Sequence, residues 1–202
     1  NQFRSSQLTP SVGTLAVIIK KMSVEKKYLE KLKSENILVD IYTDNYEESF
    51  YGFIIKFNED FLLLEHYNDN LIYNGIIVFR IRDITRIKWS GNDMNSSLLM
   101  LDKSKRLEIV KEVEIESLNS IINSISKIYG HINLSIQDID SGMCIIGEVE
   151  EMDEEKIVIN QFGTKATIDR AFVMISTQDI TKVEAGGIYE LNLMKLHNIN
   201  KE

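Results

Sequence analysis

Arg82-Asp83-Ile84-Thr85-Arg86-Ile87-Lys88-Trp89 decides the fold, because the chain writes it twice. Gln178-Asp179-Ile180-Thr181-Lys182-Val183-Glu184 repeats it 96 positions later. Each copy closes a run of alternating apolar residues, the pattern of a half-buried strand. Working outward, Tyr51-Gly52-Phe53-Ile54-Ile55 matches Ile146-Gly147-Glu148-Val149-Glu150 at a spacing of 95. The same spacing sets Phe61-Leu62-Leu63-Leu64 against Lys156-Ile157-Val158-Ile159, and Ile37, Val39 and Ile41 against Ile132, Leu134 and Ile136. One residue is gained in the second copy, expected in the loop before Arg170. Downstream, Leu98, Leu99 and Leu101 meet Leu193, Met194 and Leu196. The period far exceeds that of stacked solenoid repeats, so a small unit has been duplicated.

With 202 residues, the chain holds one large or two small domains. Units of about 70 residues are marginal alone, so the two are expected to pack on each other. A 44% hydrophobic, 27% charged composition excludes a disordered body. The net charge of -8 disfavours phosphate backbones, whose binding rests on Lys and Arg. Cys144 is the sole cysteine, which excludes an intrachain disulfide and fits a reducing, cytoplasmic setting. Beside Ile145 on a strand, it reads as a small buried apolar residue. No apolar run is long enough to span a membrane.

Residues 1–21 differ from the rest: they lack Asp and Glu and hold the only proline. They read as an N-terminal arm or a segment of cloning origin, with an added edge strand as the alternative, and Met22 reads as a natural start. The first repeat is expected at 22–102, a charged linker at 103–111 and the second repeat at 112–202. Ser23 is the expected N-cap of a helix ending near Asn36. Strands follow at 37–43, 50–57, 61–67, 76–82 and 85–89, separated by Asn, Asp and Gly turn residues. A short helix is expected over 94–101. Leu118, Ile121, Ile122, Ile125 and Ile128 form an apolar stripe on a second long helix, stopped at Gly130. Strands at 131–138, 143–151, 156–162, 171–176 and 181–185 and a helix at 188–197 complete the chain.

The fold expected is therefore mainly β with helices: two five-stranded small barrels in tandem, each preceded by a helix. The pattern resembles the Sm-like family of small barrels, within the SH3-like group. The resemblance rests on Val39-Asp40-Ile41, Tyr51-Gly52-Phe53-Ile54, Asn58-Glu59-Asp60-Phe61-Leu62-Leu63-Leu64 and the motif before Ile87. In the second copy it rests on Leu134-Ser135-Ile136, Gly147-Glu148-Val149, the stretch from Met152 to Ile159, and Val183. It implies edge-to-edge association, the fourth strand of one unit pairing with the fifth of the next. It also implies RNA binding as a function. Arg82-Asp83 and Gln178-Asp179, however, stand where RNA-binding members carry Arg-Gly, and neither loop supplies the asparagine that reads a base.

No catalytic constellation is legible. His66, His131 and His197 are scattered and have no ligand spacing, so no metal or cofactor is expected. The acidic run Glu148, Glu150, Glu151, Asp153, Glu154 and Glu155 reads as a solvated strand face and turn. Asp83 and Asp179 read as turn caps accepting backbone N–H bonds. The functional expectation is a non-enzymatic module acting through contact with an unknown protein partner, in one version a basic one. The alternative is RNA binding through Lys103, Lys105, Arg106 and Lys111. One strand edge is expected to be covered within the chain or by a second chain. The Leu118-to-Ile128 helix is expected across that junction. Assembly is expected as a dimer, ahead of a monomer and a closed ring.

Overall fold

The computed structural model describes residues 23–101, 108–167 and 169–199. Ser23 Oγ accepts the Lys26 N–H at 3.1 Å and opens α1 (Val24–Ser34), which buries Leu29 and Leu32. The alternating stretches become β1 (Leu38–Thr43), β2 (Glu48–Phe57), β3 (Phe61–Tyr67), β4 (Tyr73–Arg80) and β5 (Arg86–Trp89). α2 (Asn92–Met100) closes the first half. A capping box between Ser117 and Ser120 opens α3 (Leu118–Tyr129), and Gly130, with φ of 73°, ends it. Then come β6 (Ile132–Ser135), β7 (Cys144–Met152), β8 (Lys156–Phe162), β9 (Arg170–Ser176), β10 (Lys182–Ala185) and α4 (Ile188–Ile199).

The strands do not close into two barrels. They form one open antiparallel sheet in the order β5-β1-β2-β3-β4-β10-β6-β7-β8-β9. The reason lies in β10, which pairs with β6 on one side and with β4 on the other. The outer side of β4 is thereby satisfied within the chain, as an uncovered row of backbone donors and acceptors requires. The halves run β5-β1-β2-β3-β4 and β10-β6-β7-β8-β9, the same order twice.

The duplication is visible bond by bond. Val39 pairs with Gly52 and Ile132 with Gly147, so Val39 and Ile41 correspond to Ile132 and Leu134. That corrects the sequence alignment of this strand by two residues. The reason is the longer connection from β6 to β7, which absorbs two extra residues. Both glycines let the β2–β3 and β7–β8 backbones cross closely: a Cβ would meet Glu65 O at 2.2 Å or Asn160 O at 2.5 Å. The register slips between Ile54 and Lys56 and again between Val149 and Glu151, one bulge repeated. Asn58 Oδ1 accepts the N–H groups of Asp60 and Phe61, and Asp153 Oδ1 those of Glu155 and Lys156.

The core is continuous across the seam. Ile121, Ile122 and Ile125 of α3 pack in one cluster with Ile76 and Val78 of β4 and Val183 of β10. Each such isoleucine contributes about 1.5–3 kcal/mol by leaving water. α3 therefore lies across the junction between the two copies. The end of the charged linker expected at 103–111 is not free of the core: Val110, and Val113 and Ile115 just beyond it, enter this same cluster, because apolar residues in a charged stretch must be buried somewhere.

Candidate functional site

The seam is held by polar contacts as well as the ladder. Arg80, at the end of β4, donates through Nη2 to the carbonyls of Thr177 (3.3 Å) and Gln178 (2.8 Å) in the second half. Lys182 of β10 reaches back to Glu48, with Nζ–O distances of 3.0 and 3.1 Å, and lies 4.6 Å from the centre of the Phe50 ring. Gln137 donates to the same Glu48 carboxylate at 2.9 Å. Glu184, 3.4 Å from Lys182, has its pKa pushed up to about 7 by burial, with Glu190 and Glu48 adding repulsion that Lys182 only partly offsets. Nearby, burial and Lys182 push the His66 imidazole down to about 4.

A second group lies deeper. His131 is fully buried; its Nδ1 lies 3.0 Å from Tyr129 O and its Nε2 3.3 Å from Glu190 Oε2. Asn133 Nδ2 donates to Glu190 at 2.9 Å, and so does the Gly187 N–H. Burial would raise the Glu190 pKa, but the bonds from His131, Asn133 and Gly187 outweigh it and hold the carboxyl below its ordinary value. Glu190 lies in the first turn of α4 and His131 just before β6, so the pair pins helix to sheet. In the first half the matching positions, by the register just described, are Leu38, Asp40 and Met94. Leu38 and Met94 sit together in an apolar cluster. The enclosed acid–imidazole pair is thus a polar substitute for a packing contact.

The two outermost strands differ from their inner counterparts. β9 corresponds to β4 and carries Phe172 (66% exposed) and Met174 (67% exposed) where β4 carries Ile76 (1%) and Val78 (2%). Val173 and Ile175, which alternate with them, pack into the core instead. β5 corresponds to β10. Its Trp89 is half-buried and lies 5.6 Å from the Tyr28 ring of α1. Both outer edges lack a sheet neighbour among the described residues.

Several expected residues take other roles. Lys103, Lys105 and Arg106 lie outside the described residues; Lys111 sits exposed in a 3-10 turn, Glu108–Glu112. Asp83 and Asp179 occur in repeated 3-10 turns, Ile81–Asp83 and Thr177–Asp179, but neither side chain caps its turn. Backbone bonds from Ile84 to Ile81 and from Ile180 to Thr177 close them instead. The motif residue that works is its threonine. Thr85 Oγ1 lies 3.0 Å from Tyr42 O, and Thr181 Oγ1 3.1 Å from Ser135 O. Each also accepts a backbone N–H, from Asp44 and Gln137 respectively.

Cys144 is exposed at the start of β7 rather than buried as expected, and its counterpart Ser49 in β2 is exposed as well. The three histidines stay apart: His66 faces Asn74, and His197 stacks on Phe162 at 4.9 Å. Among the described residues no cluster of His, Cys, Asp or Glu is arranged to hold a metal ion, and no helix is long and apolar enough to cross a membrane. Sequence reading missed His131 with Glu190, and Phe172 with Met174. The first escaped because β1 and β6 were matched two residues out of register, the second because Ile76, Val78, Phe172 and Met174 are all apolar and differ only in burial. Compared with protein-family models, curated proteins and solved structures, the chain matches none.

Proposed function

We propose that the protein is a non-enzymatic interaction module that acts through protein–protein contact along the outer strand β9. The carrying observation is the exposure of Phe172 and Met174 on a strand that pairs on one side only among the described residues, while its internal counterpart β4 is paired on both. An open edge supplies backbone bonds, and apolar side chains on alternate positions supply the burial that makes strand addition specific. We further read each half as an Sm-like unit. The repeated strand order, the preceding helix and the shared bulge in β2 and β7 support that reading. The buried position of His131 and Glu190 favours a structural use of that pair over catalysis.

Chemical cross-linking of the native chain in its own cell extract, followed by mass spectrometry, tests the proposal. Cross-linked peptides of a protein partner should map to the β9 side and disappear in Phe172→Glu. Cross-links that avoid β9 and persist in the variant contradict it.

A further inference from the structure

We infer that the flank of α1 formed by Val24 and Tyr28, with the Trp89 ring of β5 beside it, is a docking site for the chain's own segment before Ser23, anchored through Val17 and Met22. The inference concerns the end of the sheet away from β9 and goes beyond the interaction reading. Val24 is 75% exposed and Tyr28 40%. Four residues apart, they stand on one flank of the helix, and the Tyr28 ring packs on Trp89. Apolar surface of this kind gains free energy when another chain segment takes it out of water.

The second half shows the same flank covered. In the register that sets Val39 on Ile132, Tyr28 falls on Ile121 and Lys31 on Ser124. Ile121 is fully buried, and Val110, Val113 and Ile115 share its cluster. Those three residues precede α3 and fold back along it: the Glu114 N–H donates to Ser124 Oγ at 3.0 Å. Lys56 Nζ holds the stretch from the other side, donating to the Val113 carbonyl at 2.8 Å. Ile76 and Val78 of β4 complete the cover. No strand equivalent to β4 borders β5 and α1 among the described residues. The stretch leading into the helix is therefore the cover that remains within the chain.

The residues before α1 have the chemistry for it. At the same spacing Val110 falls on Val17 and Ile115 on Met22, both apolar, while Val113 falls on Lys20, next to Ile19. The run from Val12 to Ile19 carries no charge, so its burial strips no ion of water. The reach suffices as well. Tyr28 stands about 7.5 Å along the helix axis from Ser23, and the stretch from Val17 to Met22 spans about 20 Å when extended. A segment seated there belongs to the first unit, whose start moves from Met22 back to Val17. It also takes the α1 flank away from any partner.

Trp89 is the only tryptophan of the chain, so its fluorescence reads this contact directly. Acrylamide quenching is compared in the full chain, in Val17→Asp, in Ser6→Asp as a charge control, and in a chain begun at Ser23. The full chain and Ser6→Asp should show blue-shifted, weakly quenched emission at every protein concentration. Val17→Asp and the shortened chain should both shift to the red and quench more strongly, with the circular dichroism of the sheet unchanged. Emission and quenching of Val17→Asp equal to those of the full chain overturn the inference, and this comparison holds even where the shortened chain does not fold. A full chain quenched as freely as the shortened one overturns it too. Shielding of Trp89 that arises only as the protein is concentrated also overturns it, and assigns the flank to a second copy. None of these outcomes involves β9, so the interaction reading stands or falls on its own cross-links.

Discussion

Leu38 and Met94 in the first half occupy the places that His131 and Glu190 take in the second. The first pair touches through apolar surface, the second through a buried carboxylate and imidazole. β4 and β9 form a second such contrast: one is covered by β10, the other ends the sheet. The backbone tolerates both versions of each pair, down to the shared bulge and the shared threonine bond. What differs between copies is therefore free to serve assembly or fine stability, while what agrees is what the fold needs. The positions that differ are where substitutions discriminate.

The largest effect is expected at the seam, where α3 packs on the shared core. Ile122→Asp places a charge with no partner in the shared core, at a cost of about 3–5 kcal/mol, and chemical denaturation should show loss of the cooperative transition. Next comes the buried pair. Glu190→Met alone strands His131 and Asn133 and should cost about 3 kcal/mol or more. Adding His131→Leu reproduces the first half's apolar pair and should recover most of that loss in the same denaturation experiment. A double variant no better than the single one would break the equivalence of the two halves.

The third effect depends on pH. Glu184 has a folded pKa of about 7 against an ordinary 4.5, so the folded state holds a proton that the unfolded state releases. Its contribution to stability is full below about pH 4.5 and declines as pH rises to about 7. His66 acts in the opposite sense, favouring the folded state above pH 6.5 and losing that contribution as pH falls towards 4. Glu184→Gln should therefore gain up to roughly 3 kcal/mol at pH 8 and nothing at pH 4.5. Thermal melts at the two pH values check it.

The smallest effect compares the two threonines. Thr181→Val buries unsatisfied groups and should cost about 1–3 kcal/mol. Thr85→Val, at an exposed site, should cost under about 1 kcal/mol in parallel melts.

Periodicity carried most of the architecture, because alternation and caps are local. Every strand and helix was anticipated to within a few residues, and the Asx turns at Asn58 and Asp153 were legible as turn chemistry. The closure was not. Whether β4 curls into its own barrel or pairs with β10 is a choice between distant partners, and alternation is the same in both. The alignment of β1 with β6 failed because apolar residues on every second position match equally well after a shift of two. That shift hid the relation of Leu38 to His131. Asp83 and Asp179 read as turn caps, but the capping contacts fall to Thr85 and Thr181, whose hydroxyls reach the neighbouring strand at Tyr42 O and Ser135 O.

Amide hydrogen exchange read strand by strand tests the central contrast between β4 and β9 most directly. β4 and β10, paired on both sides, should be protected, whereas β5 and β9, paired on one side only among the described residues, should exchange faster. Exchange in β4 and β10 as fast as in β9, or protection of β9 equal to that of β4 at high dilution, would contradict the account.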